Sequence, residues 1–189
     1  KIQQDENKLE RVTEIKNIET KRLNHLLNLE LDFYNKKILE IGSINGSYAK
    51  IIKKVNGKVT LSSPHEKKIN RFKRKNSEYN VIKLNIEDEN YFKAIGYFDY
   101  VLCYDVLEHI QNPIKAIENL SSITDTIIVE SSFTNFYNES VVNVTMDKTS
   151  LSSLNGIGSR FSRITLYRLL NNHFNYISRG KKLALTTFK

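Results

Sequence analysis

One stretch, Phe98 to Leu120, constrains the fold of this chain more than any other: FDYVLCYDVLEHIQNPIKAIENL. A short apolar run, Tyr100 to Cys103, stops at Tyr104-Asp105. Apolar residues at helical spacing follow at once: Val106, Leu107 and Ile110, then Ile114, Ile117 and Leu120. The first segment reads as a buried strand, and the second as a short helical turn behind a polar edge. Asn112-Pro113 then starts a longer helix, because proline fits the first helical position and asparagine caps it.

The same alternation extends along most of the chain. The pattern predicts strands near 37–42, 58–62, 80–84, 98–103 and 126–130, with helices between them near 46–54, 65–75, 88–94 and 113–121. Strand and helix in strict alternation imply a parallel sheet with right-handed crossovers. Before it, Leu9, Val12, Ile15, Ile18, Leu23, Leu26 and Leu27 recur at helix spacing among charges of both signs. They predict a leading helix that packs on the core or on a partner chain. We therefore expect a helical extension over 1–34 and a single α/β domain over 35–189. Residues 131–160, rich in Ser, Thr and Asn, read as a long insertion or lid. The chain ends with a helix at 163–172, a strand at 173–178, a turn at Arg179-Gly180 and a strand at 183–188.

Composition narrows the class. A chain of 189 residues that is 40% hydrophobic buries a real core. No apolar run approaches the ~18 residues of a membrane span. The N-terminus is charged and has no apolar segment of a signal peptide. It opens on Lys1, which suggests a processed chain or a domain cut from a longer polypeptide. The lone cysteine, Cys103, excludes an internal disulfide and a cysteine-rich zinc site, and points to a reducing, cytoplasmic setting. The net charge of +8 is uneven. Lys67, Lys68, Arg71, Lys73, Arg74 and Lys75 form one basic run, and Lys148–Lys189 holds eight Lys or Arg and no acid. Such runs attract polyanions, nucleic acid among them.

The strings KILEIGSING and CYDVLEH, one after the first strand and one after the fourth, resemble the class I S-adenosylmethionine-dependent methyltransferases. The second string is similar to the group that methylates small molecules, quinones and sugars. The resemblance covers 37–188. It implies one Rossmann-like domain with a mostly parallel seven-stranded sheet, closed by an antiparallel hairpin. It also implies S-adenosylmethionine as cofactor. In the family an acidic residue and a glycine-rich turn after the first strand hold the amino acid half of the cofactor. Here these are Glu40, Gly42, Ser43 and Gly46. Ile44 stands where the family has its middle glycine, and a β-branched residue tolerates positive φ badly, so a different loop path is expected.

The second strand of the family ends in a carboxylate that takes the ribose hydroxyls. This chain has Leu61, Ser62 and Ser63 there, so a serine hydroxyl is the expected, weaker acceptor. After the third strand, Asn85 replaces the usual Asp and can still accept from the adenine amino group. Ile86 is expected to pack on the adenine face, and Cys103 and Tyr104 to line the cofactor from the fourth strand.

Methyl transfer to oxygen needs an aligned nucleophile and a general base. Candidates at the carboxyl edge are Asp105, Glu108, His109 and Glu130. We assign Asp105, His109 and Glu130 catalytic roles. A histidine ordinarily titrates near neutral pH, which suits base work. Arg160 and Arg163 are expected to bind a phosphate or carboxylate of the acceptor. The segment 153–163 resembles one found in methyltransferases associated with glycan modification. A sugar or glycan hydroxyl is thus the first expected acceptor. A nucleic-acid (RNA) methyltransferase and a non-catalytic, methyltransferase-like binding module are the alternatives. No His, Asp and Glu spacing suits a metal.

Overall fold

The computed structural model describes residues 2–42, 44–134, 142–146, 153–174, 176–179 and 184–188. Two compact units are distinct, with the boundary after Asp32. The first is a single long helix, α1 (Ile2–Asn28). No helix among the described residues is long and apolar enough to cross a membrane.

The second unit is the α/β domain. Its strands are β1 (Lys37–Glu40), β2 (Lys58–Ser63), β3 (Asn80–Lys83), β4 (Tyr100–Tyr104), β5 (Thr126–Glu130), β8 (Tyr176–Arg179) and β9 (Ala184–Phe188). They form one seven-stranded sheet in the order β3-β2-β1-β4-β5-β9-β8. The first five strands run parallel, and β9 and β8 pair antiparallel, so the expected sheet and its closing hairpin are both present. The strands read as apolar runs because both sheet faces are covered: Ile38, Leu39, Val101, Leu102, Cys103, Ile127 and Ile128 are all fully buried. Helices α2 (Ser47–Lys54), α3 (Glu66–Lys73), α4 (Pro113–Ser121) and α5 (Arg163–His173) complete the domain. Asn112 caps α4 as expected, its Oδ1 accepting from the Lys115 amide at 3.1 Å. The helix expected at 88–94 is a 3-10 turn, Glu89–Lys93, capped by Asp88.

The strand order reverses direction between β1 and β4, which opens a crevice beyond the carboxyl ends of these two strands. Register brings the edge residues level. Glu40 pairs with Leu61 on one side and Leu102 on the other, and Tyr104 pairs with Glu130. The main departure from expectation is in the insertion. It contains a hairpin, β6 (Val142–Met146) and β7 (Ile157–Phe161), that forms a second, two-stranded sheet. Its β7 sequence, IGSRF, carries two small residues and an arginine in place of apolar alternation, which hid the strand. The rest of the insertion, 135–141 and 147–152, lies outside the described residues, as does Gly180 of the expected turn.

Candidate active site

The loop after β1 explains its own glycines. Gly42 has φ +81° and Gly46 has φ +73°, both left-handed, where a side chain is strained. A Cβ on Gly42 would also lie 2.8 Å from Cγ2 of Val106, in the turn after β4. The Gly42 amide donates to the Ser62 carbonyl at 3.0 Å, which ties the loop to β2. Ser43 lies outside the described residues.

Glu40 ends β1 with 2% of its surface exposed, and neither carboxylate oxygen has a hydrogen-bond partner. Burial pushes its carboxyl up to about 8. The Ala49 amide pulls the other way and falls short of bonding geometry. A buried, unbonded carboxylate is costly, and a cation would relieve it. The amino acid half of S-adenosylmethionine carries an ammonium group, so Glu40 fits that half.

The ribose side fits less well. Ser62 Oγ donates to the Glu40 carbonyl at 2.9 Å, and Ser63 Oγ accepts from the His65 amide at 3.1 Å. Both side chains are buried, so neither hydroxyl is offered freely to a ligand. Asn85 Oδ1 accepts from the Glu87 amide at 3.1 Å and keeps a second lone pair. Three expectations need correcting. Leu61 and Cys103 are fully buried, and Ile86 is 4% exposed and packed within the core, so none of these side chains is presented to a cofactor. The reason is that both faces of β2 and β4 are covered, and Ile86, in the loop after β3, packs into the core as well. Burial also raises the Cys103 thiol well above its ordinary range, which makes it inert. Tyr104 is 5% exposed, its ring 5.3 Å from that of Tyr48 on α2.

The edge of β4 and β5 holds the acid–base candidates. Asp105 has φ +58° and is exposed. Its amide donates to the Glu130 carbonyl at 3.1 Å, which locks the two strand ends together. Next come the 3-10 turn Leu107–His109 and half-buried His109. Glu108 faces inward instead. Its Oε1 accepts from the Ser132 amide at 2.9 Å and its Oε2 from Ser131 Oγ at 3.1 Å. Burial pushes its carboxyl above the ordinary range, and the Asp105 charge adds to this. Glu108 is thus a clamp between the turn after β4 and the loop after β5. The presence of Glu108 was plain from the sequence, but its two serine partners and the Ser159 Oγ bond to the Leu107 carbonyl at 3.3 Å were not. Ser131, Ser132 and Ser159 carry no motif. Only folding brings them to this turn.

The structure separates the two arginines. On β7, buried Ser159 and Phe161 face the domain, so Arg160 between them faces away. This corrects its placement as an acceptor residue on that side. Arg163 begins α5, with its guanidinium 5.2 Å from the centre of the Phe133 ring. No cluster of three potential metal ligands occurs among the described residues.

Comparison with known proteins bears on the fold and the family. Solved structures share the fold at low identity. The N-terminal domain of EvdMO1 with SAH bound has a TM-score of 0.63 at 15% identity, over 81% of this chain and 74% of that one. A SAM-dependent methyltransferase from Archaeoglobus fulgidus has a TM-score of 0.61 at 16% identity, over 86% and 70%. No curated protein matches. A family described as a methyltransferase domain matches residues 15–179. The expected fold, enzyme class and S-adenosylmethionine cofactor stand on that match, and the chain belongs to the methyltransferase domain family.

Proposed function

We propose that this methyltransferase acts on a hydroxyl of a sugar or glycan. The observation that carries the reading is the shared edge of Asp105, His109 and Glu130, joined by the 3.1 Å bond from the Asp105 amide to the Glu130 carbonyl. S-adenosylmethionine, when bound, supplies an electrophilic methyl group on a positively charged sulfur. Glu40 and the Gly42–Gly46 loop hold its amino acid half. The acceptor hydroxyl approaches from the β4–β5 side, its proton passes to His109 or Asp105, and Glu130 orients it. Glu108 touches no reacting atom in this scheme. It positions the turn that carries the base. Support for a sugar comes from the EvdMO1 domain, which has been crystallised with SAH and D-fucose. We place the protein in the cytoplasm, where a buried, unpaired Cys103 is at home.

One observation favours a second reading. Between Ser47 and Lys75 stand ten Lys or Arg and a single acid, Glu66. They belong mainly to α2 and α3, beside the cofactor edge, and could attract RNA. One assay separates the two: methyl transfer from labelled cofactor to a panel of sugars, glycans and RNA. His109→Ala and Asp105→Ala should each lower turnover by about 10²–10⁴ if that residue is the base, with cofactor affinity changed far less. Unchanged turnover in both variants removes the pair from the chemistry. Label in RNA alone makes the second reading the first.

A further inference from the structure

Resting on the sugar reading above, we infer that Arg163, seated over the Phe133 ring, is an oxyanion subsite for a carboxylate or phosphate carried by the methyl acceptor. The argument starts from how Phe133 is held. It lies three residues past Glu130, on the segment leaving the β5 edge. On its N-terminal side, Glu108 binds Ser131 Oγ and the Ser132 amide. On its C-terminal side, the Thr134 amide donates to the Phe161 carbonyl at 2.8 Å, and Phe133 itself bridges to Phe161. The ring is therefore fixed from both directions, close to the turn that carries Asp105 and His109. Ser159 on β7, bonded to the Leu107 carbonyl, brings the start of α5 to the same turn.

Arg163 enters from that helix. Ser162 caps it, with Oγ accepting from the Thr165 amide at 3.3 Å, which sets the direction of the first turn. The guanidinium then rests 5.2 Å from the Phe133 ring centre, within cation–π range. Arg163 is solvent-exposed, and among the described residues it has neither a hydrogen bond nor an acidic partner. This contact spends none of the guanidinium's N–H donors on a hydrogen bond, and their fork matches a carboxylate or a phosphate in two parallel bonds. A permanently charged fork, held on an anchored ring and lacking an anion, sits beside the acceptor side of the site. Its ligand class is an anionic sugar: a hexuronate, a sugar phosphate or a nucleotide-linked sugar.

The test uses three acceptors built on one hexose: the neutral glycoside, its uronate and its phosphate ester. Methyl transfer is measured for wild type, Arg163→Gln, Arg163→Lys and Phe133→Leu. We expect Arg163→Gln to raise KM for the two charged acceptors about 10- to 100-fold, the range of a charge-assisted hydrogen bond. KM for the neutral acceptor and kcat for all three should stay within about twofold. Arg163→Lys should recover part of the loss, and Phe133→Leu should give an intermediate one. Equal effects on charged and neutral acceptors, or none, overturn the subsite. If no sugar is methylated, the sugar reading fails, and the subsite is judged by calorimetry on SAH-saturated protein. Binding of the uronate or the phosphate that Arg163→Gln abolishes supports it. Absence of such binding overturns it, and the two anions report separately which group the fork prefers.

Discussion

Each half of the crevice contains one buried glutamate, and the two have opposite surroundings. Glu40, on the β1–β2–β3 half, has no hydrogen bond to either oxygen. Glu108, on the β4–β5 half, accepts bonds from Ser131 and Ser132 through both. Burial raises both carboxyls above their ordinary range. An unsatisfied buried carboxylate is tolerated where a ligand will satisfy it, whereas a satisfied one fixes the scaffold. In the first half the buried carboxyl is left without a partner, which suits the proposed ammonium of the cofactor. The second is built to hold a turn in place, with exposed Asp105 and half-buried His109 at its edge.

The largest effect expected is at the junction of the two halves. Gly42→Val places a side chain against Val106 at a left-handed φ, which combines overpacking with backbone strain. The loss should be about 2–5 kcal/mol in denaturant unfolding, with SAH binding abolished in calorimetry. Adding Val106→Ala should return part of the stability but not the binding. Wild-type binding by a folded Gly42→Val would show that the cofactor lies elsewhere.

Next is the clamp. Glu108→Ala leaves the Ser132 amide and the Ser131 hydroxyl without their acceptor, at a cost of about 1–3 kcal/mol. SAH affinity should hold, because the clamp lies in the other half. Glu108→Gln keeps an acceptor for the Ser132 amide and should lose much less. If Glu108→Ala weakened SAH binding as strongly as it weakened the fold, the division into two halves would be wrong.

A smaller gain is expected at the ribose side. Leu61→Asp would bury a carboxylate in the core, and Ser62→Asp would break the bond to the Glu40 carbonyl. Ser63→Asp also buries a carboxylate, but one oxygen can keep the His65 amide bond, which offsets part of that cost, and the other remains for a ribose hydroxyl. Tightening of SAH binding by about 1–2 kcal/mol is expected from a charged acceptor. Unaltered affinity in a folded variant would place the ribose away from β2.

A further test is a pH dependence. In the folded chain Glu40 keeps its proton up to about pH 8, whereas its ordinary value is 4.5. The folded state therefore binds more protons than the unfolded state between these limits. Stability from this group is complete below 4.5 and is lost as pH rises through about 8. Without cofactor, Glu40→Gln should match wild type in Tm at pH 4.5 and exceed it by an amount that grows as pH rises to about 8. A constant difference across this range would mean that Glu40 does not titrate there.

Most of the sheet could be read from the chain because the central strands are short apolar runs and most crossovers have a 3.6-residue period, the exception being the 3-10 turn Glu89–Lys93. Both are local patterns set by burial, and Asn112-Pro113 and Gly46 mark helix starts by equally local rules. The resemblance of KILEIGSING and CYDVLEH located the crevice, since a switch point follows from strand order. Which side chains face that crevice is a different matter. Leu61, Ile86 and Cys103 stand in the right strands or loops but pack into the core, because the sheet is covered on both faces. Ser131, Ser132 and Ser159 look like ordinary loop and strand serines until the fold brings them to Glu108 and Leu107. Arg160 and Arg163 are three residues apart and look alike, yet a strand ends and a helix begins between them, so they part. Charge and periodicity act along the chain. Hydrogen bonding and burial depend on neighbours that only the folded domain supplies.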